Sequence, residues 1–194
     1  MVQAITNQGM SLEAFWQQQQ EAPFEIIDGE IVPMSPTVLG HSYLVRLLFR
    51  AFDSFLVSNP TWEVFTETTF VIPGADSPNW VTGSLEPDVM VLRKTDVEAL
   101  MAANPDWRER PSTIIPVLVV EVISTNDRYP ILLRKVAQYL DLGVQVILLI
   151  NPRRKTVSIY RSGNDEPDIL GSEDILTVND LLPGFSLSLK QLFE

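Results

Sequence analysis

Three residues sit where their types do not belong. Pro116 to Ser124 reads Pro-Val-Leu-Val-Val-Glu-Val-Ile-Ser, a short β-branched run suited to a strand covered on both faces, except for Glu121. Glutamate is almost never fully buried unless it is paired or bound to a cation. Glu86-Pro87-Asp88-Val89-Met90-Val91-Leu92 repeats the device, with Asp88 heading a second apolar run. The third residue is Lys135. Ile131, Leu132, Leu133, Val136, Tyr139, Leu140 and Leu142 form the apolar arc of a helix, and Lys135 falls inside that arc.

Two carboxylates delivered by two core strands suggest a cation between them. The chain has no cysteine and one histidine, which leaves oxygen ligands and a hard ion, Mg²⁺ or Mn²⁺. Asp88 and Glu121 would bind it, and the backbone carbonyl of Val122 could complete the protein's share. Such an ion keeps several waters and meets substrate phosphate oxygens. An amine at Lys135 could steer an attacking water or offset charge in a phosphoryl transition state. A plainer reading is a structural ion pair of Glu121 with Lys135 alone.

Composition narrows the classes. The absence of cysteine excludes disulfides, thiolate zinc sites and cysteine nucleophiles, and fits a reducing cytoplasm. There is no Gly-x-Ser-x-Gly elbow and no glycine-rich phosphate loop. No apolar run approaches the ~20 residues needed to span a bilayer, and residues 1–8 lack the pattern of a secretory leader, so no membrane partner is expected. The net charge of −11 argues against nucleic acid. The distribution softens that, because eleven of the fourteen Lys and Arg lie in 88–161, the segment carrying the misplaced carboxylates.

The elements that must position these groups are readable. Ser11 caps a short helix to Gln20, and Asp28-Gly29 joins two strands of a hairpin, 24–27 and 30–34. Thr37 is expected to cap a long helix over 38–57, ended by Asn59-Pro60. Strands are expected over 62–65, 68–72, 88–92 and 116–123, with a Pro/Gly-rich loop over 73–84 and a helix capped by Thr95 and running to about 103. A helix starting at Pro130 and closed by Gly143 is followed by a wholly apolar strand, 144–150, whose neighbour should be parallel. Asn151-Pro152-Arg153-Arg154 turns the chain into 156–160, and 162–194 supplies a loop, a strand or two and a closing helix. The order predicts an α/β fold, a mixed sheet flanked by helices, in one domain: helix and hairpin 11–34, core 38–160 and cap 162–194.

Phe24 to Pro36 with His41, Pro87-Asp88-Val89-Met90-Val91, Val119 to Ser124, Lys135-x-x-x-Tyr139, Gly143-Val144 and Asn151-Pro152 occur in an order that resembles the Uma-type restriction endonucleases of the PD-(D/E)XK nuclease superfamily. The resemblance covers roughly 24–188. It implies a restriction-endonuclease-like fold in which Asp88 and Glu121 bind Mg²⁺. Position 123 is Ile, so the usual Glu-x-Lys lysine is missing, and the resemblance implies that Lys135 on the next helix replaces it. Glu30 and His41 become candidate supporting residues, against the plainer readings of an exposed turn and a helix-start surface residue. Arg153 and Arg154 are candidate phosphate contacts, or a solvated turn. The implied activity is Mg²⁺-dependent DNA hydrolysis, with a homodimer expected for cutting both strands. The alternatives are an inactive nuclease fold kept as a binding or interaction module, favoured by the acidic ends and by Ile131 at a position where the family often has Asp, and a phosphodiesterase of small substrates.

Overall fold

The structure, a computed structural model, describes residues 9–194. The expectation that residues 1–8 carry no secretory leader lies outside the described residues. The elements are β1 (Met10–Ser11), α1 (Leu12–Glu21), β2 (Phe24–Ile27), β3 (Glu30–Pro33), α2 (Leu39–Leu56), β4 (Trp62–Thr66), β5 (Phe70–Gly74), β6 (Ser77–Leu85), β7 (Val89–Arg93), α3 (Lys94–Ala103), β8 (Leu118–Val122), α4 (Tyr129–Asp141), β9 (Val146–Asn151), β10 (Thr156–Arg161), β11 (Asp168–Leu170), β12 (Ile175–Leu176), β13 (Leu187–Ser188) and α5 (Leu189–Phe193).

A six-stranded sheet runs in the order β11-β10-β9-β8-β7-β4. All its pairs are antiparallel except β8 with β9, the parallel pair the apolar runs called for. Crossing from β8 to a parallel neighbour needs a long connection, and α4 is that connection. A second sheet joins β1, β6, β2 and β3, with β5 also on β6. The α/β class and the flanking helices are as the sequence indicated.

Alternation along β8 decides what faces what. Leu118, Val120 and Val122 point into one core with Leu48 and Phe52 of α2. Val119 points to the other face, into a core that holds Val136 and Tyr139 of α4, Met90 and Leu92 of β7, and Ile27 of β2. Glu121 shares the parity of Val119 and so faces α4. The register of this strand is therefore fixed by two apolar faces at once, and a one-residue slip would invert both.

Local chemistry holds the neighbouring elements in place. In the β2–β3 turn both Asp28 (φ 51) and Gly29 (φ 76) are left-handed, the conformation that matches a two-residue hairpin to strand twist. Pro130 lies in the first turn of α4, and its end closes through Gly143 (φ 91), with Val144 N–H donating to the Tyr139 carbonyl and Gly143 N–H to that of Leu140. Ser11 caps α1 as read, its hydroxyl accepting from Ala14 N–H. Two caps differ from expectation: the residue before α2 is Val38 and that before α3 is Arg93, neither with a side-chain cap bond, so Thr37 and Thr95 do not play that part. The loop expected over 73–84 is mostly strand. The chain folds back after Gly74 so that Ser77–Leu85 pairs with β5 through register shifts at Ile72/Pro73 and Pro73/Gly74, and a bulge of this kind tolerates the proline and glycines that read as breakers.

Candidate active site

Asp88 stands just before β7, and Glu121 is the penultimate residue of β8. The two strands pair antiparallel, Val89 opposite Val120, which brings the start of one to the end of the other. Asp88 Oδ2 accepts from Val122 N–H at 2.6 Å, and its Oδ1 lies 2.8 Å from His41 Nε2. His41, from the first turn of α2, has a side chain only 8% exposed. Its bond to Asp88 raises its pKa above the ordinary histidine value against the opposing effect of burial.

Glu121 is 7% exposed and Lys135 6%. Lys135 Nζ lies 2.8 Å from Glu121 Oε1, and the Tyr139 hydroxyl donates to that same oxygen at 2.6 Å. Lys135 and Tyr139 are one helical turn apart, so α4 presents both to Glu121 from one face. A second carboxylate shares the amine: Glu25 Oε1 of β2 lies 2.8 Å from Nζ. Glu25 also accepts from Glu86 N–H at 2.7 Å, and the Glu86 carbonyl takes a longer bond from Lys135 at 3.4 Å. The Glu86 side chain turns to the Thr69 hydroxyl, and burial raises its pKa.

The charges do not balance. Glu25 and Glu121 share one ammonium, while Asp88, paired with His41, adds its charge near Glu121. Burial pulls Lys135 toward neutrality, but Glu121 and Glu25 outweigh it and hold the amine charged. Burial, reinforced by Asp88 and Glu25, pushes the Glu121 carboxyl up to about 8 despite Lys135. A proton is one way to make up the missing positive charge, and a divalent cation is another. Among the described residues no three His, Cys, Asp or Glu side chains are arranged to hold a metal ion. A two-carboxylate site remains consistent with the donor set. Glu121 spends Oε1 on Lys135 and Tyr139 and leaves Oε2 without a partner among the described residues. Each carboxylate oxygen of Asp88 retains a second lone pair.

These groups open on a cleft of about 410 Å³. Its rim is formed by the segment 33–37 between β3 and α2, and by Ser124, Asn126, Asp127 and Arg128 between β8 and α4. Asp127 fastens that second rim, accepting from both the amide and the hydroxyl of Ser124. The Arg128 side chain is exposed and makes no ion pair among the described residues.

Asp88, Glu121, Lys135, His41 and Val122 thus come together in one place. The contact seen for Val122 is through its N–H rather than the carbonyl anticipated as a ligand. Glu30 does not join them: it is exposed and pairs with Arg134 at 2.8 Å on the outer side of α4. Arg153 and Arg154 are exposed in the β9–β10 turn and do not line the cleft. Glu25 was missed, although the signal that exposed Glu121, an acid inside an apolar run, was present in Phe24-Glu25-Ile26-Ile27.

A crystal structure from Anabaena variabilis described as "a putative nuclease belonging to DUF820" superposes with a TM-score of 0.75 at 20% identity, covering 95% of this chain and 97% of the other. That likeness shows the fold, which is restriction-endonuclease-like. No curated protein matches the chain. The family model described as "Uma2: Putative restriction endonuclease" matches residues 11–190. Since that match takes in nearly all of the 194 residues, from the cap of α1 to the start of α5, the chain belongs to the Uma2 family.

Proposed function

We propose that this protein is an endonuclease hydrolysing phosphodiester bonds in DNA with Mg²⁺, for which Mn²⁺ can substitute. The observation that carries the reading is the convergence of Asp88, Glu121 and Lys135 on one cleft. Family membership supports it. Asp88 and Glu121 would hold the ion, and the Val122 carbonyl remains a candidate third oxygen. When bound, the ion supplies Lewis-acid polarisation of the phosphoryl group and lowers the pKa of an attacking water.

The chain's own groups have separable parts. His41 and the Val122 amide fix the Asp88 carboxylate from both oxygens. Lys135 and Tyr139 fix Glu121. Once Glu121 turns toward a cation, Lys135 has a donor to spare for the attacking water or for charge developing on the phosphoryl oxygens. Arg128 on the rim meets a flanking phosphate. A double-strand cut needs two such sites, so we extend the reading to a homodimer, which light scattering tests.

The test is cleavage of supercoiled plasmid with Mg²⁺ or Mn²⁺ by the wild type beside Asp88→Ala, Glu121→Ala and Lys135→Ala. Nicked or linear DNA is expected from the wild type alone, with all four proteins folded by circular dichroism. Equal cleavage by Glu121→Ala sinks the proposal. One observation favours a second reading, an inactive nuclease fold kept as a binding module: all three donors of Lys135 are already engaged. Calorimetry separates the two, because a module of that kind takes up no Mn²⁺ even at millimolar concentration.

A further inference from the structure

A lysine ammonium has three donors. In Lys135 they go to Glu121 Oε1 at 2.8 Å, Glu25 Oε1 at 2.8 Å and the Glu86 carbonyl at 3.4 Å. Glu121 already has a part as a cation ligand. Glu25 has none, yet it is 8% exposed, and a buried carboxylate is costly unless something requires it. The hairpin that brings it is fastened to α4 with unusual thoroughness. Arg134 donates to Asp28 Oδ2 at 2.9 Å, Glu30 Oε2 at 2.8 Å and the Ile27 carbonyl at 3.1 Å. Gln138 accepts from Asp28 N–H at 3.1 Å and donates to the Ile26 carbonyl at 3.4 Å. Lys135 lies on the same helix as both clamps, so the distance from Glu25 to Lys135 is set by the scaffold.

A cation that takes the Glu121 carboxylate competes with Lys135 for it. Were Glu121 the amine's sole anion, binding would strand a buried ammonium, and breaking a buried pair from one side is strongly unfavourable. We propose that Glu25 is a positioning residue: it keeps Lys135 paired and in place while Glu121 turns to the cation, and so permits the cation to bind without touching it. The inference rests on the assignment of Asp88 and Glu121 as cation ligands. It predicts a coupling between Glu25 and Lys135 that a purely structural carboxylate would not show.

The experiment is calorimetric titration of the full chain with Mn²⁺ in four forms: wild type, Glu25→Gln, Lys135→Met and Glu25→Gln/Lys135→Met. Glu25→Gln keeps an oxygen for the Glu86 amide but removes the charge. It is expected to weaken Mn²⁺ binding by about tenfold or more, a usual loss for an outer-sphere partner, while melting of the metal-free protein changes little. With Lys135→Met in place there is no amine to strand, so Glu25→Gln is expected to leave Mn²⁺ affinity unchanged. Wild-type affinity in the single variant overturns the proposal. So does an equal loss in both backgrounds, which reports only the charge taken from the cluster. If the single variant does not fold, Lys135→Met against the double variant still tests the proposal, since a further tenfold loss there overturns it. Failure of the nuclease assignment reads differently, since Mn²⁺ binding that depends on Glu25 without plasmid cleavage keeps the positioning role and rejects the enzyme. An absence of Mn²⁺ binding by the wild type rejects both.

Discussion

The Tyr139 hydroxyl donates to Glu121 Oε1 at 2.6 Å, with the tyrosine entirely out of water. Burial and the neighbouring carboxylates raise the phenol well above its ordinary pKa, so it remains a donor throughout the physiological range. Tyr139→Phe keeps the ring against Phe70 and removes one of two donors from a buried acid. The expected loss of stability is about 1–3 kcal/mol, the usual result of leaving such a group short of a partner. Urea denaturation measures it, and an unchanged midpoint would mean the hydroxyl does not serve Glu121.

The raised pKa of Glu121 gives stability a pH dependence of definite sign. Its folded value, about 8, lies above the ordinary 4.5. The fold therefore favours the protonated acid, and the contribution of this group is complete below about pH 4.5 and lost as pH rises through about 8. The melting temperature of the metal-free protein should fall across that window, and Glu121→Gln, which cannot titrate, should flatten the fall. Protons and Mn²⁺ compete for the same carboxylate, so Mn²⁺ should raise the melting temperature more at the alkaline end than the acid end. A shift independent of pH would place the ion elsewhere.

His41 touches Asp88 at 2.8 Å, and its Nδ1 is buried without a hydrogen-bond partner among the described residues. On the proposed reading its task is to orient the Asp88 carboxylate. His41→Ala should leave the strands intact and weaken Mn²⁺ binding about 10- to 100-fold, the range for partners that orient a ligand. His41→Asn, which can still donate to Asp88, should recover part of the loss. Calorimetry on the two variants checks both statements, and equal binding by His41→Ala and wild type refutes the role.

Asp88, Glu121 and Lys135 were legible because each contradicts its surroundings: charge among aliphatic side chains has to be explained by something it meets. The parallel β8–β9 pair was legible for the complementary reason, that strands without polar positions have no face to give to water. Glu25 was hidden because a hairpin strand normally keeps one wet face, and an acid there needs no explanation. What the sequence did not reveal is that α1 and α4 cover the two faces of β2, Phe15 meeting Phe24 and Ile26 on one and Lys135 meeting Glu25 on the other, leaving all four of its residues buried. β6 was hidden in turn because Pro78 and Gly83 read as loop, while pairing with β5 and β2 overrides that local preference. Arg153 and Arg154 attracted notice through charge alone, and charge in a turn carries no address.

Arg128 supplies the last prediction, about where DNA lies. Lys135 and Arg134 are committed to carboxylates, and Arg153 and Arg154 stand away from the cleft. Of the cationic side chains lining the cleft, Arg128 is the one on the rim whose guanidinium has no carboxylate partner among the described residues. It sits where α4 begins, fixed in sequence next to Asp127, whose bonds to Ser124 hold the rim in shape. A phosphate contact of this kind adds affinity without reading sequence. Arg128→Ala should therefore raise KM for DNA with little change in kcat, and should reduce the slope of log affinity against log salt by about one. Arg153→Ala/Arg154→Ala should leave that slope as it is. Salt-dependent binding of a short duplex by the Asp88→Ala protein measures the slope without cleavage. If the turn variant loses slope and Arg128→Ala does not, the duplex runs over the β9–β10 turn and not across the α4 rim.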